Sequence, residues 1–231
     1  VITFIITLAI ALWLFRDNIV AIYPVQKDNK QLNIIKDKCI SLYVEKIDDF
    51  SLKEYSDEQL LLHYIEAETY CGFKDSPVLL LNLKVTQYDE KGQESYVLKS
   101  NQANILNSGE ILFRGEVNIL SKSIYHEIKT ESLFMNSKTK QINSNKDVIY
   151  YGENAKIFAQ GMRINNADDT MQLEGDVSIE QESGSLINTK DLNINLVDNE
   201  KRYQTKEKST YLSEDNTIHS EQGIDIDMKE N

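Results

Sequence analysis

The sequence predicts an all-β protein, a sandwich or open roll, behind a single N-terminal apolar anchor. Three observations carry that reading. Runs of strictly alternating apolar and polar residues recur at short spacing, separated by polar turns, as half-buried strands require. A unit of about 60 residues repeats in the second half of the chain, as stacked supersecondary units do. After the first fifteen residues no long stretch has a helical period, and the 12 Tyr, with many Ile, Val and Thr, favour strands.

The anchor comes first. "VITFIITLAIALWLF" (Val1 to Phe15) carries no charge. Fifteen helical residues span about 22 Å, short of a ~30 Å hydrocarbon core. The chain starts at Val1, so the span is expected to draw on residues upstream, and Trp13 and Tyr23 suit the interfaces. A cleaved signal peptide is the rival, but Leu14-Phe15-Arg16-Asp17 is a poor cleavage site. Residues 1–23 therefore read as a transmembrane anchor, with the acidic, strand-rich body outside the cytoplasm.

Residues 24–56 form a polar approach segment with the first strands, such as "CISLYVEKI". Residues 57–182 are the main β body. In "SPVLLLNLKVTQYD" (Ser76 to Asp89), Leu79, Leu81, Leu83 and Val85 are expected to share one face. "YDEKGQ" reads as a hairpin turn with Gly92 available for positive φ. "ILFRGEVNI" (Ile111 to Ile119) then matches "MQLEGDVSI" (Met171 to Ile179), pairing Phe113 with Leu173, Gly115 with Gly175, Val117 with Val177 and Ile119 with Ile179. "IKTESLFMN" matches "INTKDLNIN", and "KIFAQGM" matches "TIHSEQGI", at offsets that drift only between 59 and 62 residues. Gly115 and Gly175 interrupt an apolar face. Each is either a bend in the strand or a gap left for a ligand chain. Residues 183–231 continue the repeat as an additional β extension.

Charge and motifs exclude several functions. A net charge of -12 and a pI near 4.8 argue against nucleic acid and against a polybasic grip on membranes. No metal, phosphate-loop or nucleophile motif is present, and the three His are scattered. The carboxylates alternate outward as solvated faces, so an enzyme is not expected, nor a metal or cofactor. Cys39 and Cys71 are the only cysteines; an oxidising compartment permits one disulfide, and two unrelated buried thiols remain the other reading.

The order "DEQLLLHYIEAE", "SPVLLLNLKVTQYDEKGQESYVLKSNQANI", "ILFRGEVNI", "IKTESLFM" and "IFAQGMRINNADDTMQLEGDVSI", behind one anchor, resembles the LptC family of lipopolysaccharide export. The L-x-G-x-V strands, the T-E-x-L segment and Gly161-Met162 carry the resemblance, over residues 1 to 182. It implies a twisted, open β-jellyroll of the OstA/LptC type. It also implies an inner-membrane anchor packed on the ABC transporter LptB-LptF-LptG, with the body in the periplasm. Lipopolysaccharide would enter an apolar groove and leave for the soluble protein LptA, joined by edge-to-edge strand addition. On that basis Leu79, Leu81, Leu83, Val85, Phe113, Val117, Ile119, Leu173, Val177 and Ile179 are the expected lipid contacts, with Gly115, Gly161 and Gly175 structural. The alternative is an anchored assembly module that carries no lipid. The family ordinarily stops soon after its last L-x-G-x-V strand, so the extension from Gly184 resembles LptA instead.

Overall fold

A computed structural model describes Cys39 and residues 43–227, apart from 75, 107, 123–125, 137–138, 140, 153, 166–169 and 196–201. The expected anchor lies outside the described residues. Among those described, no helix is long and apolar enough to cross a membrane.

The alternating runs become strands. Six long ones come first: β1 (Tyr43–Tyr55), β2 (Leu61–Phe73), β3 (Ser76–Tyr88), β4 (Glu94–Ile105), β5 (Glu110–Ser121) and β6 (His126–Asn136). Four short ones follow: β7 (Gln141–Ser144), β8 (Val148–Tyr151), β9 (Ala155–Ala159) and β10 (Gly161–Asn165). Two long strands, β11 (Thr170–Gln181) and β12 (Leu186–Asn195), precede a last short set: β13 (Arg202–Thr205), β14 (Ser209–Leu212), β15 (Thr217–Ser220) and β16 (Ile224–Asp227). All sixteen belong to one antiparallel sheet.

That sheet is creased along one line. β6 pairs with β8 through Glu127–Thr130 and with β7 through Phe134–Asn136, so β7 and β8 are one long strand broken in the middle. β9 and β10 likewise pair with opposite ends of β11, and β14 and β13 with opposite ends of β12. Five of the eight unbroken strands, β1, β3, β5, β11 and β12, cross the same line through left-handed residues: Asp49 (φ 54°), Asn82 (φ 49°), Gly115 (φ 73°), Gly175 (φ 80°) and Asp191 (φ 45°). Register slips there too, between Arg114 and Val117 in β5/β6 and between Leu173 and Asp176 in β11/β12. Such bulges bend a strand and raise its twist, which is how a single sheet doubles back into two layers. One apolar cluster fills the space between the layers, from Phe50 in β1 to Tyr203 in β13.

The crease decides how the repeated glycines are read. A Cβ on Gly175 would lie 2.9 Å from Cβ of Gln160, and one on Gly115 would lie 3.0 Å from Cβ of Asn101. The space is occupied by a neighbouring side chain, so neither glycine leaves a gap for a ligand; both mark the bend. The Gly175 N–H donates to Asp191 Oδ1 at 2.8 Å, and the Asp176 N–H to Gln160 Oε1 at 3.1 Å, which satisfies the backbone where the ladder breaks. Gly161 opens β10 at the same line, where an added Cβ would approach the Ser144 carbonyl oxygen at 3.1 Å.

The crease also corrects the expected face of β3. Val78 and Leu80 enter the main core before Asn82, and Leu83 and Val85 enter it after. Leu79 belongs instead to a second cluster with Cys39, Cys71 and Phe73, and Leu81 packs against that cluster. One left-handed residue turns both Leu81 and Asn82 away from the core and inverts the parity of the pleat. In β5 and β11 the bend absorbs three residues between core positions, so Phe113 and Val117, and Leu173 and Val177, keep the same parity.

The sheet does not pause at residue 183. β12 pairs with β11 along its length, and Ile187, Leu192, Ile194 and Tyr203 join the common core. The repeat is equally clear in the pairing. β5 and β6 with β7–β10 reappear as β11 and β12 with β13–β16: β8 pairs β9 as β14 pairs β15, and β7 pairs β10 as β13 pairs β16.

Candidate functional site

Eight of the ten expected lipid-contacting residues meet in the interlayer space. Leu83, Val85, Phe113, Val117, Ile119, Leu173, Val177 and Ile179 all lie in the one cluster, and none is more than 3% exposed. Leu79 and Leu81 are on the other face of the sheet. There they pack around a bridge between Cys39 and Cys71, whose Cα atoms are 6.1 Å apart. The bridge ties the segment ahead of β1 to β2.

Among the described residues the interlayer space is filled by buried side chains, and a crevice in it of about 20 Å³ lies between Ile119, Ile128 and Tyr150 of one layer and Ile164 and Met171 of the other. That admits about one water and falls far below the ~300 Å³ where ligand pockets begin. The crevice lies at the lip, the free border opposite the crease.

The tyrosines of the interior are shielded from solvent. Burial pushes the phenols of Tyr150 and Tyr203 up, and burial together with the nearby Glu45 carboxylate pushes Tyr70 up to about 12. These phenols therefore stay neutral. The Tyr150 hydroxyl lies 3.0 Å from His126 Nδ1, with the two rings stacked at 5.6 Å. His63, buried at 1% exposure, is held by Glu54 at 2.7 Å across β1/β2. His219 meets Thr210 across β14/β15. Among the described residues no group of His, Cys, Asp or Glu is placed to hold a metal ion.

A larger hollow of about 720 Å³ lies against the crease, where Lys84, Lys99 and Lys129 face Glu116, Glu131 and Asp147. Its charges balance, and Lys84 and Lys129 are already paired with Glu66 and Glu127, each at 2.9 Å.

Sequence reasoning missed that His63, Gln87, Tyr96, Ser121 and His126 form one cross-strand row over β2 to β6, because their meeting depends on the register of five strands. The repeat could have pointed to the exposed tail of the sheet. Ile218 in β15 corresponds to Ile157 in β9; the first is 57% exposed, the second 0%.

The family model described as "Lipopolysaccharide-assembly, LptC-related" matches residues 4–182, from the apolar N-terminal run to the end of β11. No curated protein matches the chain.

Proposed function

The chain belongs to the LptC-related lipopolysaccharide-assembly family, and from that premise we propose that it is an anchored stretch of the lipopolysaccharide transport bridge. Residues 1–23 hold it in the inner membrane beside LptB-LptF-LptG, and the β body stands in the periplasm. The layers part at the lip, acyl chains enter between them, and the lipid moves along the trough to LptA. No chemistry is needed: each CH₂ kept out of water is worth ~0.8 kcal/mol, and a continuous dry path removes that barrier. The net charge of -12 disfavours phosphate-bearing headgroups, so the affinity comes from acyl burial, with sugars left outside.

The observation that carries this reading is the single apolar interior that runs through both layers and both repeats, from Phe50 to Tyr203. The two ends of the sheet support the transfer. Among the described residues both are edges with no further strand beside them, β1 at one end and β15 with β16 at the other. In the first repeat β11 lies beside β9 and β10, and Ile157, Met162 and Ile164 are 0% exposed. In the second repeat no strand follows β16 among the described residues. Ile218 is exposed, and Ile224 and Ile226 are only half-buried. A strand added there by LptA restores the missing neighbour and continues the trough.

The second reading, an assembly module that carries no lipid, draws on the closed interior. A photo-crosslinking residue at Phe113 or Leu173 separates the two in cells. Lipopolysaccharide adducts at both positions are expected. Protein adducts at Ile218 with no lipid adduct at either inward position would leave the assembly reading standing alone.

A further inference from the structure

The two repeats differ at the crease: one is filled by its own side chains and the other is not. In the second repeat, two successive residues of β12 close the bend. Asp191 Oδ1 accepts from the Gly175 N–H at 2.8 Å, and Lys190 Nζ lies 3.9 Å from Asp176 Oδ1. Gln160, between β9 and β10, accepts from the Asp176 N–H at 3.1 Å. In the first repeat Gly115 and Glu116 stand where Gly175 and Asp176 do, and Glu131 and Ser132 where Lys190 and Asp191 do. Burial supports that alignment: Thr130 and Thr189 are buried just before each pair, and Leu133 and Leu192 just after it.

The first repeat lacks every filling group. The Ser132 hydroxyl donates to the Phe113 carbonyl at 3.2 Å rather than accepting at the bend. Among the described residues, the side chain of Asn101, one methylene shorter than Gln160, makes no hydrogen bond, and no side chain accepts from the Gly115 or Glu116 N–H. In place of the Lys190–Asp176 pair, Glu131 and Glu116 set like charges on neighbouring strands, which repel. Asp147 stands where Lys208 does.

These three carboxylates line the hollow of about 720 Å³ together with Lys99. Among the described residues none of the four side chains has a hydrogen bond or an ion pair, so three negative charges face one positive. The hollow is on the outer face of the sheet. Lys84, Lys99, Asn118 and Lys129 form one cross-strand row along it, each next in sequence to a core residue, Val85, Leu98, Ile119 or Ile128.

We propose that the crease of the first repeat binds a short zwitterionic peptide, of dipeptide size. Its carboxylate accepts from the Gly115 N–H, in the place that Asp191 fills one repeat later. Its ammonium sits between Glu116 and Glu131, beside Asp147, in the place of Lys190. A cation alone leaves the Gly115 N–H unmet, and an anion alone meets three carboxylates, so the arrangement selects a ligand that carries both charges. A single amino acid is too short, since the built-in pair hangs from two successive residues. The site is independent of the carrier reading, which uses the opposite face of the sheet.

The test titrates the full chain with alanyl-alanine and follows the Gly115 and Glu116 amide resonances. A saturable shift of both is expected. Acetylating the amine or amidating the carboxylate of the probe is expected to weaken binding about 5-fold, the worth of one net hydrogen bond. Glu131→Lys with Ser132→Asp writes the pair of the second repeat into the first. That double variant is expected to lose the binding and to melt at a higher temperature, because the pair fills the bend from within. Glu131→Gln keeps the shape, removes one charge and is expected to weaken binding about 5-fold; it serves if the double variant folds poorly. No shift in the wild type, equal binding of the capped probes, or binding that survives both substitutions overturns the site. Capture of lipopolysaccharide at Phe113 is unaffected by any of these outcomes, so the carrier reading stands or falls separately.

Discussion

Replacing Gly175 by alanine tests the crease directly. The residue sits at φ 80°, where an L side chain costs about 1–2 kcal/mol. The new Cβ would also meet Gln160 Cβ at 2.9 Å. Gln160 is exposed and can give way by leaving its rotamer, at a further ~1 kcal/mol. The sum is about 2–3 kcal/mol, or a fall of roughly 4–12 °C in melting temperature for a chain of this size. Gly184→Ala is the control. It has φ 83° with nothing within 4 Å of an added Cβ, so it carries the backbone cost alone. Thermal denaturation of the two variants should differ by the packing part, and Gln160→Ala should shrink that difference in a double-mutant cycle. Equal losses for Gly175→Ala and Gly184→Ala would refute the packing argument. No loss in either would refute the strain argument as well.

Three further outcomes follow from the same geometry. Replacing Cys39 and Cys71 by serine opens a loop of sequence separation 32. Chain entropy puts the loss at about 3–4 kcal/mol, readable as a lower denaturation midpoint that reducing agent reproduces in the wild type and not in the variant. Leu83→Asp, at 2% exposure in the core, should prevent folding, whereas Leu81→Asp, on the opposite face and half-buried, should leave a folded protein with a modest loss by circular dichroism. The hydrogen bonds from Arg202, and then Gln204, hold the Asp225 carboxyl below the usual carboxylate range. A lowered folded-state pKa means that this pairing of β13 and β16 helps folding above the ordinary Asp pKa. The help is lost as pH falls through the lowered value. An NMR titration should show Asp225 ionising early in the wild type and normally in Arg202→Ala.

Much of the fold was legible because alternation is a local signal. Met171, Leu173, Val177 and Ile179 are buried in β11 as their spacing requires, and the matching register slips in β5/β6 and β11/β12 follow the repeat of Gly115 and Gly175. The choice between a bend and a gap at those glycines was not local. It depended on Asn101 and Gln160, which approach from neighbouring strands. The face of Leu79 and Leu81 failed for a related reason. An asparagine in the left-handed region looks like any polar strand residue, so the inversion at Asn82 leaves no mark in the spacing.

By itself, then, the sequence determined the strands, the repeat, the apolar set that fills the interior and the family that such a pattern resembles. These are properties of neighbours along the chain, where a period of two sets which side of a strand is dry. The tertiary structure decided where the sheet creases, which leucines lie outside it, and that the interior is shut. It also decided that His63, Gln87, Tyr96, Ser121 and His126 stand in one line. Residues as far apart as 63 and 126 come together only through the accumulated register of five strands, and every bulge along the way resets that register.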